Sequence, residues 1–368
     1  MTHRPIDCTK FAERVAAWLT EHGPEGDVVV SSRVRLARNL AEYPFVTKLA
    51  PERAVELCER VREPLNALRV SGPMHWVPIH EAPPVLRLCL RERHLVSRDL
   101  APSAEERAAL PGRAVAYSDD ETVSVMVNEE DHLRVQAMRP GFDLGTAFQR
   151  AQQADRDLEH ALPFAVSETY GYLTCCPTNV GTGLRASVML HLPALSLVRS
   201  ELEKVFMAVQ RTGLALRGLY GEGTKATGDF YQVSNQVTLG RDENQLAAEL
   251  VDLVASVVRF ERRVRESLMK EQRASLADRV SRSLGMLRSA RFMTTDNALA
   301  HLSNLRLGVY LGLWPAGTST LVNRLRIQIQ RGHLQALNSR DATVELVEPS
   351  ERDRLRAALL RRELAERN

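Results

Sequence analysis

The chain has 368 residues, 44% hydrophobic and 26% charged, the balance of a globular protein with a sizeable core rather than of a disordered chain. Its 49 Lys and Arg against 46 Asp and Glu leave a formal charge of +3, too little by itself to imply nucleic acid or a membrane surface as partner. The five cysteines, Cys8, Cys58, Cys89, Cys175 and Cys176, are odd in number and contain no C-x-x-C pair. That argues against a disulfide framework and a zinc site and fits a reducing cytoplasm; no protein-held metal is expected. No leader-like start and no apolar run of membrane-spanning length is present, so a soluble, untargeted chain is expected.

In chain order, residues 9–22 space Phe11, Val15, Trp18 and Leu19 helically before Gly23-Pro24 breaks the pattern. The β-branched run at 27–31 predicts a strand. Up to about residue 250, short apolar segments at 85–90, 123–127, 214–220 and 230–237 read as strands, and 144–160 and 194–212 as helices. Strand signals then stop. A charged, heptad-like helix is expected from Glu243 towards Leu284, followed by helices at 295–305, 319–330 and 349–366, with turns at Trp314-Pro315 and Gly332. The pattern predicts an α+β domain followed by a helical one, divided near 255–260. No repeat of 20–50 residues is present, which excludes a solenoid.

The P-loop, dinucleotide-fold, protein-kinase and zinc-protease motifs are all absent. Four dense segments remain: Ser31-Ser32-Arg33-Val34-Arg35-Leu36-Ala37-Arg38, Asn128-Glu129-Glu130-Asp131-His132-Leu133-Arg134, Cys176-Pro177-Thr178-Asn179-Val180-Gly181-Thr182-Gly183-Leu184-Arg185-Ala186-Ser187-Val188, and Arg217-Gly218-Leu219-Tyr220-Gly221-Glu222-Gly223-Thr224. Each joins an expected strand end to polar or glycine-rich backbone and carries arginine. Arginine far outnumbers lysine, and although coding bias accounts for much of that, its planar fork matches phosphate oxygens two at a time.

Phosphoryl transfer rests on neutralising phosphate charge and aligning nucleophile with leaving group. Arg33, Arg35, Arg134, Arg185 and Arg217 would supply a positive cage for ATP, and Mg2+ would be held largely by the nucleotide and water. A guanidinium acceptor is cationic and a poor nucleophile, so it needs carboxylates: Glu130 and Glu222 would clamp its N–H groups and accept a proton, and Cys176 could assist as a thiolate. Glu129 and Asp131 are expected to orient loops, His132 and Cys175 to be structural, and His94 to be either a surface residue or a nucleotide contact.

The run Cys-Pro-Thr-Asn-x-Gly-Thr-Gly at 176–183 closely resembles the signature of the ATP:guanido phosphotransferases, the phosphagen kinases. The elements at 128–134 and 32–35 match that family in the same order. Finer features, at 185–189, 191–195, 220–224 and 234–240, are similar to its bacterial McsB-type protein-arginine kinases, and the resemblance spans essentially the whole chain. It implies an antiparallel sheet flanked by helices, of the phosphagen kinase and glutamine-synthetase-like type, over 1–257, and an all-helical dimerisation and phosphoarginine-binding domain over 258–368.

Nucleotide contacts would then fall on Ser31, Ser32, Arg33, Val34, Arg35, His94, Arg134, Arg185, Ala186, Ser187, Val188, Met189, Arg217, Gly218, Leu219, Tyr220 and Gly221. Catalysis would fall on Glu130, Glu222 and Cys176. Arg352, Asp353, Arg356 and Ala357 fit the family's R-D-x-x-R-A motif, and Arg352 and Arg356, at i and i+4 on a helix, would grip a phosphorylated guanidinium.

Small-molecule guanidino kinases carry a helical domain ahead of the Ser-Arg-Val-Arg element, whereas 31 residues precede Ser32 here; a site without that lid would admit an arginine on a protein. The resemblance further implies exposed arginines of proteins as substrates, an activator subunit, a Clp-type protease downstream in a stress response, and a homodimer. Lys225 departs from an acidic family position, and the arginine pattern around Arg87 is imperfect. A small guanidino kinase and a catalytically silent phosphoarginine adaptor are the alternatives.

Overall fold

The computed structural model describes residues 6–20, 23–102, 110–218, 226–338 and 347–365. Its elements run α1 (Cys8–Glu13), α2 (Ala17–Thr20), β1 (Val29–Arg38), α3 (Pro51–Ala67), β2 (Met74–Pro78), α4 (Pro84–Glu92), β3 (Ala114–Ser118), β4 (Val123–Val127), β5 (Leu133–Pro140), α5 (Leu144–Glu159), β6 (Val166–Ser167), β7 (Gly171–Tyr172), β8 (Leu184–His191), α6 (Pro193–Leu197), α7 (Arg199–Arg211), β9 (Leu214–Gly218) and β10 (Phe230–Asn235). Helices follow: α8 (Glu243–Ser289), α9 (Thr295–Tyr310), α10 (Ser319–Gln328), α11 (Arg331–Asn338) and α12 (Pro349–Glu363). Among the described residues no helix is long and apolar enough to cross a membrane.

Eight strands form one antiparallel sheet in the order β2-β3-β4-β5-β1-β8-β10-β9. Because side chains alternate along a strand, the sheet sorts its residues into two faces. Val34, Leu36, Val135, Ala137, Ala186, Val188 and Val233 point to one, where they join the main core. There α5 presents Ala147, Ala151 and Ala154, small residues on one helical stripe that let helix and sheet approach closely. The opposite face carries Arg134, Arg33, Arg35, Arg185, Gln232 and Arg217 across adjacent strands; over β2, β3 and β4 it is covered by α1 and α4, which pack on Val77, Val115, Tyr117 and Met126. Trp18 and Ile327 cap it near Met138, while Val30, Met189 and Phe230 form a separate small cluster.

Several expected elements are revised. Segment 85–90 is not a strand but lies inside α4: its residues are all buried, so no alternation reveals the period, and Pro84 at the first helical turn starts the helix. The helix expected over 9–22 is two short ones, because fully buried Arg93 donates to the carbonyls of Phe11 and Arg14 and holds the chain in a corner between them. The segment 194–212 divides at Val198, whose φ of −110° and ψ of 80° leave the helical region. Likewise α10 ends before α11 begins, with Gly332 inside α11 packed on Leu88 and Cys89 of α4.

The long helix continues unbroken through 255–260 and departs from helical geometry at Gln272. Its side chains as far as Leu276 pack in the sheet core, while Val280, Leu284 and Leu287 pack with α9, α10 and α12. The C-terminal helices are fastened to the sheet by Arg306 of α9. Its guanidinium donates to Asp27 O at 3.0 Å, Gly26 O at 2.6 Å and His191 Nδ1 at 2.7 Å.

Candidate active site

The register of the sheet assembles the cations. Arg35 lies opposite Arg185, Arg33 opposite Ser187, and Arg217 opposite Gln232. Arg33 donates through Nε to Ser187 Oγ at 3.2 Å and through Nη2 to Gln232 Oε1 at 2.9 Å, which fixes its fork across three strands. Burial, then Arg134 and Arg185, lower the Arg33 guanidinium to about 10. Burial, then Arg33, Arg134 and Arg185, lower Arg35, and Arg185 is lowered by burial, then by Arg217 and Arg134.

The strip therefore holds mutually repelling cations. The Nε atoms of Arg35 and Arg185 are buried and have no hydrogen-bond partner among the described residues. Polyphosphate fits such a site, because it brings acceptors and opposite charge together.

At the edge of the strip, β4 turns into β5 through residues 128–132, with Asn128 at a φ of 54° and its N–H donating to His132 O. Four of the five side chains hold the loop. Asn128 Nδ2 donates to the carbonyls of Ala54 and Gly112. Glu129 accepts from Ser97 at 2.6 Å and pairs with Arg134 at 2.7 Å. Asp131 accepts from Asn39 and from Cys175 N, both at 2.7 Å, and His132 Nδ1 accepts from Leu40 N at 3.0 Å. Only Glu130 is exposed, its carboxylate 2.6 Å from Arg134 Nη2. Glu129, Asp131 and His132 thus take the structural positions expected of them.

Asp131 also ties this loop to the next. Beyond Cys175, Cys176 sits near Arg185, with Sγ 3.0 Å from Thr178 Oγ1. The loop is then drawn onto β1 by Arg38, which donates to Ala37 O at 2.8 Å and Thr182 O at 3.0 Å, pairs with Asp155 at 2.7 Å and lies over the Tyr172 ring. Gly183, at a φ of 66°, has no room for a side chain: a Cβ there would lie 2.6 Å from Ala37 O.

The expected site residues thus divide. Arg33, Arg35, Arg134, Arg185, Ser187 and Arg217 share the polar face, with Glu130 and Cys176 beside it. Val34, Ala186 and Val188 are corrected: the two-residue period turns their side chains into the core. Ser32 is fully buried, donating to Gly141 O and accepting from Asp143 N, and Ser31 is buried beside it. Met189 lies under Phe230 and accepts from Arg326. His94, at a φ of 58°, sits near Arg33 with Nε2 buried and without a hydrogen-bond partner among the described residues. Gly218 ends β9, and Leu219, Tyr220, Gly221, Glu222 and Lys225 lie outside the described residues.

Away from the sheet, the expected grip on phosphate is revised for Arg356. Arg356 is 2% exposed, its donors turned inward to Ile329 O and Met293 O, each at 2.8 Å, and to Asp353 Oδ1 at 2.5 Å. Ala357 is core, and Arg352 is half-buried. Sequence reasoning missed Gln232, which aims Arg33, and Arg38, which carries the glycine loop. Gln232 has no local signal, and Arg38 was visible only as a further cation in a basic run.

The fold class is that of the phosphagen kinases. The structure is similar to the duplicated taurocyamine kinase of Schistosoma mansoni with transition-state-analogue components bound, at a TM-score of 0.59 and 30% identity over 68% of this chain and 36% of that one. It is also similar to lombricine kinase, at a TM-score of 0.55 and 25% identity over 71% of this chain and 72% of that one.

Residues 56–264 match the family model of the ATP:guanido phosphotransferase C-terminal catalytic domain, and residues 273–368 that of the protein-arginine kinase McsB C-terminal domain. The chain belongs to the ATP:guanido phosphotransferase family. Relatives include protein-arginine kinases of Moorella thermoacetica, 43% identical over 96% of this chain and 98% of that protein, and of Bacillus subtilis, 39% identical over 96% and 94%.

Proposed function

We propose that the chain transfers the γ-phosphoryl of ATP to the guanidinium of arginine side chains in proteins. The observation that carries this is the setting of Glu130: in a loop whose other side chains are all committed, its carboxylate alone reaches out, and it already holds a guanidinium, that of Arg134, at the edge of an arginine strip. An acceptor arginine replaces Arg134 at that carboxylate, while Arg33, Arg35, Arg134, Arg185 and Arg217 neutralise the phosphate chain. Glu130, with Glu222 from the segment after β9, aims the acceptor nitrogen and takes up the proton it releases as the N–P bond forms and the bond to ADP breaks. Cys176 stands beside the acceptor.

The described carboxylates at the site are Glu129 and Glu130, both engaged by Arg134, so Mg2+ would arrive with the nucleotide and not be held by these side chains. There it would offset charge on the transferring group.

The same proposal includes a cytoplasmic homodimer built through residues 258–368, phosphoarginine recognition around Arg352 and Asp353, an activator subunit, and marking of proteins for a Clp-type protease under stress. The relatives named protein-arginine kinase support the acceptor class. Incubation with ATP, Mg2+ and casein, followed by mass spectrometry at neutral pH, should find acid-labile phosphate on arginine. Phosphate on free arginine alone would identify a small guanidino kinase instead. Undetectable turnover with tight phosphoarginine binding would identify an adaptor.

A further inference from the structure

On the far side of the Cys176 to Gly183 loop from the arginine strip lies a cleft of about 580 Å³. Its walls are the β6–β7 hairpin, the end of α5 and the start of α8, with Val166, Tyr170, Thr182, Leu239, Glu159 and Glu243 among its lining. Val166, Tyr170 and Leu239 are 54%, 55% and 47% exposed, and nearby Val237 is 55% exposed, an apolar grouping that isolated surface residues do not explain. Its rim is acidic. Glu159, Asp242 and Glu243 line it against a single arginine, Arg241, whose guanidinium is paired with Glu249.

The cleft and the catalytic loop are one mechanical piece. Tyr172 and Gly181 exchange backbone hydrogen bonds of 2.8 and 3.3 Å. Thr238 Oγ1 donates to Thr178 O at 3.1 Å and Val180 O at 2.7 Å, and the Gly171 Cα leaves no space for a side chain against Gly181. A chain seated in the cleft is therefore held in fixed register with Cys176 and Glu130.

Resting on the protein-arginine reading above, we infer that this cleft docks the segment of the protein substrate next to the acceptor arginine. The apolar rings and acidic rim select unfolded segments carrying apolar and basic residues around the target. Apolar contact supplies affinity, and the carboxylates favour segments that are locally basic around the target arginine, whatever the net charge of the protein that carries them. A free arginine or a short blocked arginine peptide cannot span loop and cleft together, so the device discriminates by acceptor length.

The test is the Tyr170→Ser/Leu239→Ser double variant, whose changes fall on exposed side chains and leave the core intact. With casein as acceptor, kcat/KM should fall about tenfold, mostly through KM, while kcat/KM for a blocked arginine tripeptide and the affinity for ATP stay unchanged. Anisotropy of fluorescein-labelled casein should show the same tenfold loss of affinity without any turnover. If the variant binds and phosphorylates casein as wild type does, the cleft is not the docking site although the protein-arginine reading stands. An equal loss on the tripeptide also overturns it, as does a change of oligomeric state in sedimentation with casein binding intact, which would assign the face to a second copy. If wild type binds casein through the cleft yet phosphorylates no arginine, the docking site survives and the activity does not.

Discussion

Glu130 shows how a carboxylate's chemistry is set by what its neighbours are already doing. Because Asn128, Glu129, Asp131 and His132 hold the hairpin loop, replacing Glu130 leaves the scaffold standing. Glu130→Gln should reduce arginine phosphorylation by at least 100-fold with ATP affinity nearly intact, since the loss is in aligning and deprotonating the acceptor; unchanged initial rates would remove it from the mechanism. Arg185→Ala acts on the other half of the site. Its Nε has no partner to lose among the described residues, so the effect should appear as a weaker Kd for ATP by tenfold or more, read by calorimetry. Retained affinity would take it out of the cage.

At the scale of elements, the site depends on loops being pressed onto strands. The segment 176–183 is held by Arg38 below and by Thr238 at its side, and Gly183 is where backbone meets backbone most closely. Gly183→Ala must place a Cβ 2.6 Å from Ala37 O at a φ of 66°, a combination of clash and left-handed strain costing on the order of 2 kcal/mol or more. The thermal midpoint should drop by several degrees, with kinase activity falling further than stability because Cys176 shifts with the loop. A variant as stable and active as wild type would show that the loop is not pressed down there. Strand assignment by pattern failed at 85–90 for a reason at this scale: the six residues of that window are all buried between the sheet and α11, and the helical period shows only when the half-buried Arg91 and Glu92 that follow are read with them.

Over the whole molecule, α8 links the two cores and Arg306 joins α9 to the turn before β1. Arg306→Met would take the donor from buried His191 Nδ1 and leave the carbonyls of Gly26 and Asp27 with Tyr310 Oη and Arg265 Nη2 alone, at about 1–3 kcal/mol for the buried acceptor that loses its partner. Calorimetry should show one lowered transition rather than two, because sheet and bundle share these contacts; separate transitions in wild type would refute that coupling.

Acid sensitivity is also global. Burial holds His132, His191 and His333 below the ordinary histidine range, and burial with Arg33 and Arg326 brings His94 to about 3. The unfolded chain binds protons at these rings below about pH 6.5 while the folded chain does not. Their stabilisation is therefore full above that pH and is lost as the pH falls, by up to about 1.4 kcal/mol per histidine per pH unit. The thermal midpoint should decline from pH 7 to 5.5, opposed in part by buried carboxylates such as Glu121 and Asp131, raised by burial, as they take up protons. A flat or rising midpoint across that window would mean the rings are protonated in the fold.

The sequence by itself determined the local quantities. The order of the four dense segments pointed to guanidino phosphoryl transfer, and their arginines stood out by composition alone; the alternation that puts Arg33, Arg35, Arg134 and Arg185 on one face and Val34, Ala186 and Val188 in the core became legible once β1, β5 and β8 had bounds. Only the tertiary structure decided partners far apart in the chain. Arg93 meets Phe11, Arg14 and His333, Arg306 meets Gly26, and Arg356 turns from an expected phosphate ligand into a strut between Ile329 and Met293. A period reports which way a side chain points from its own backbone. What it meets there depends on elements brought alongside by folding, and a buried arginine and a phosphate-binding one look alike until those elements are in place.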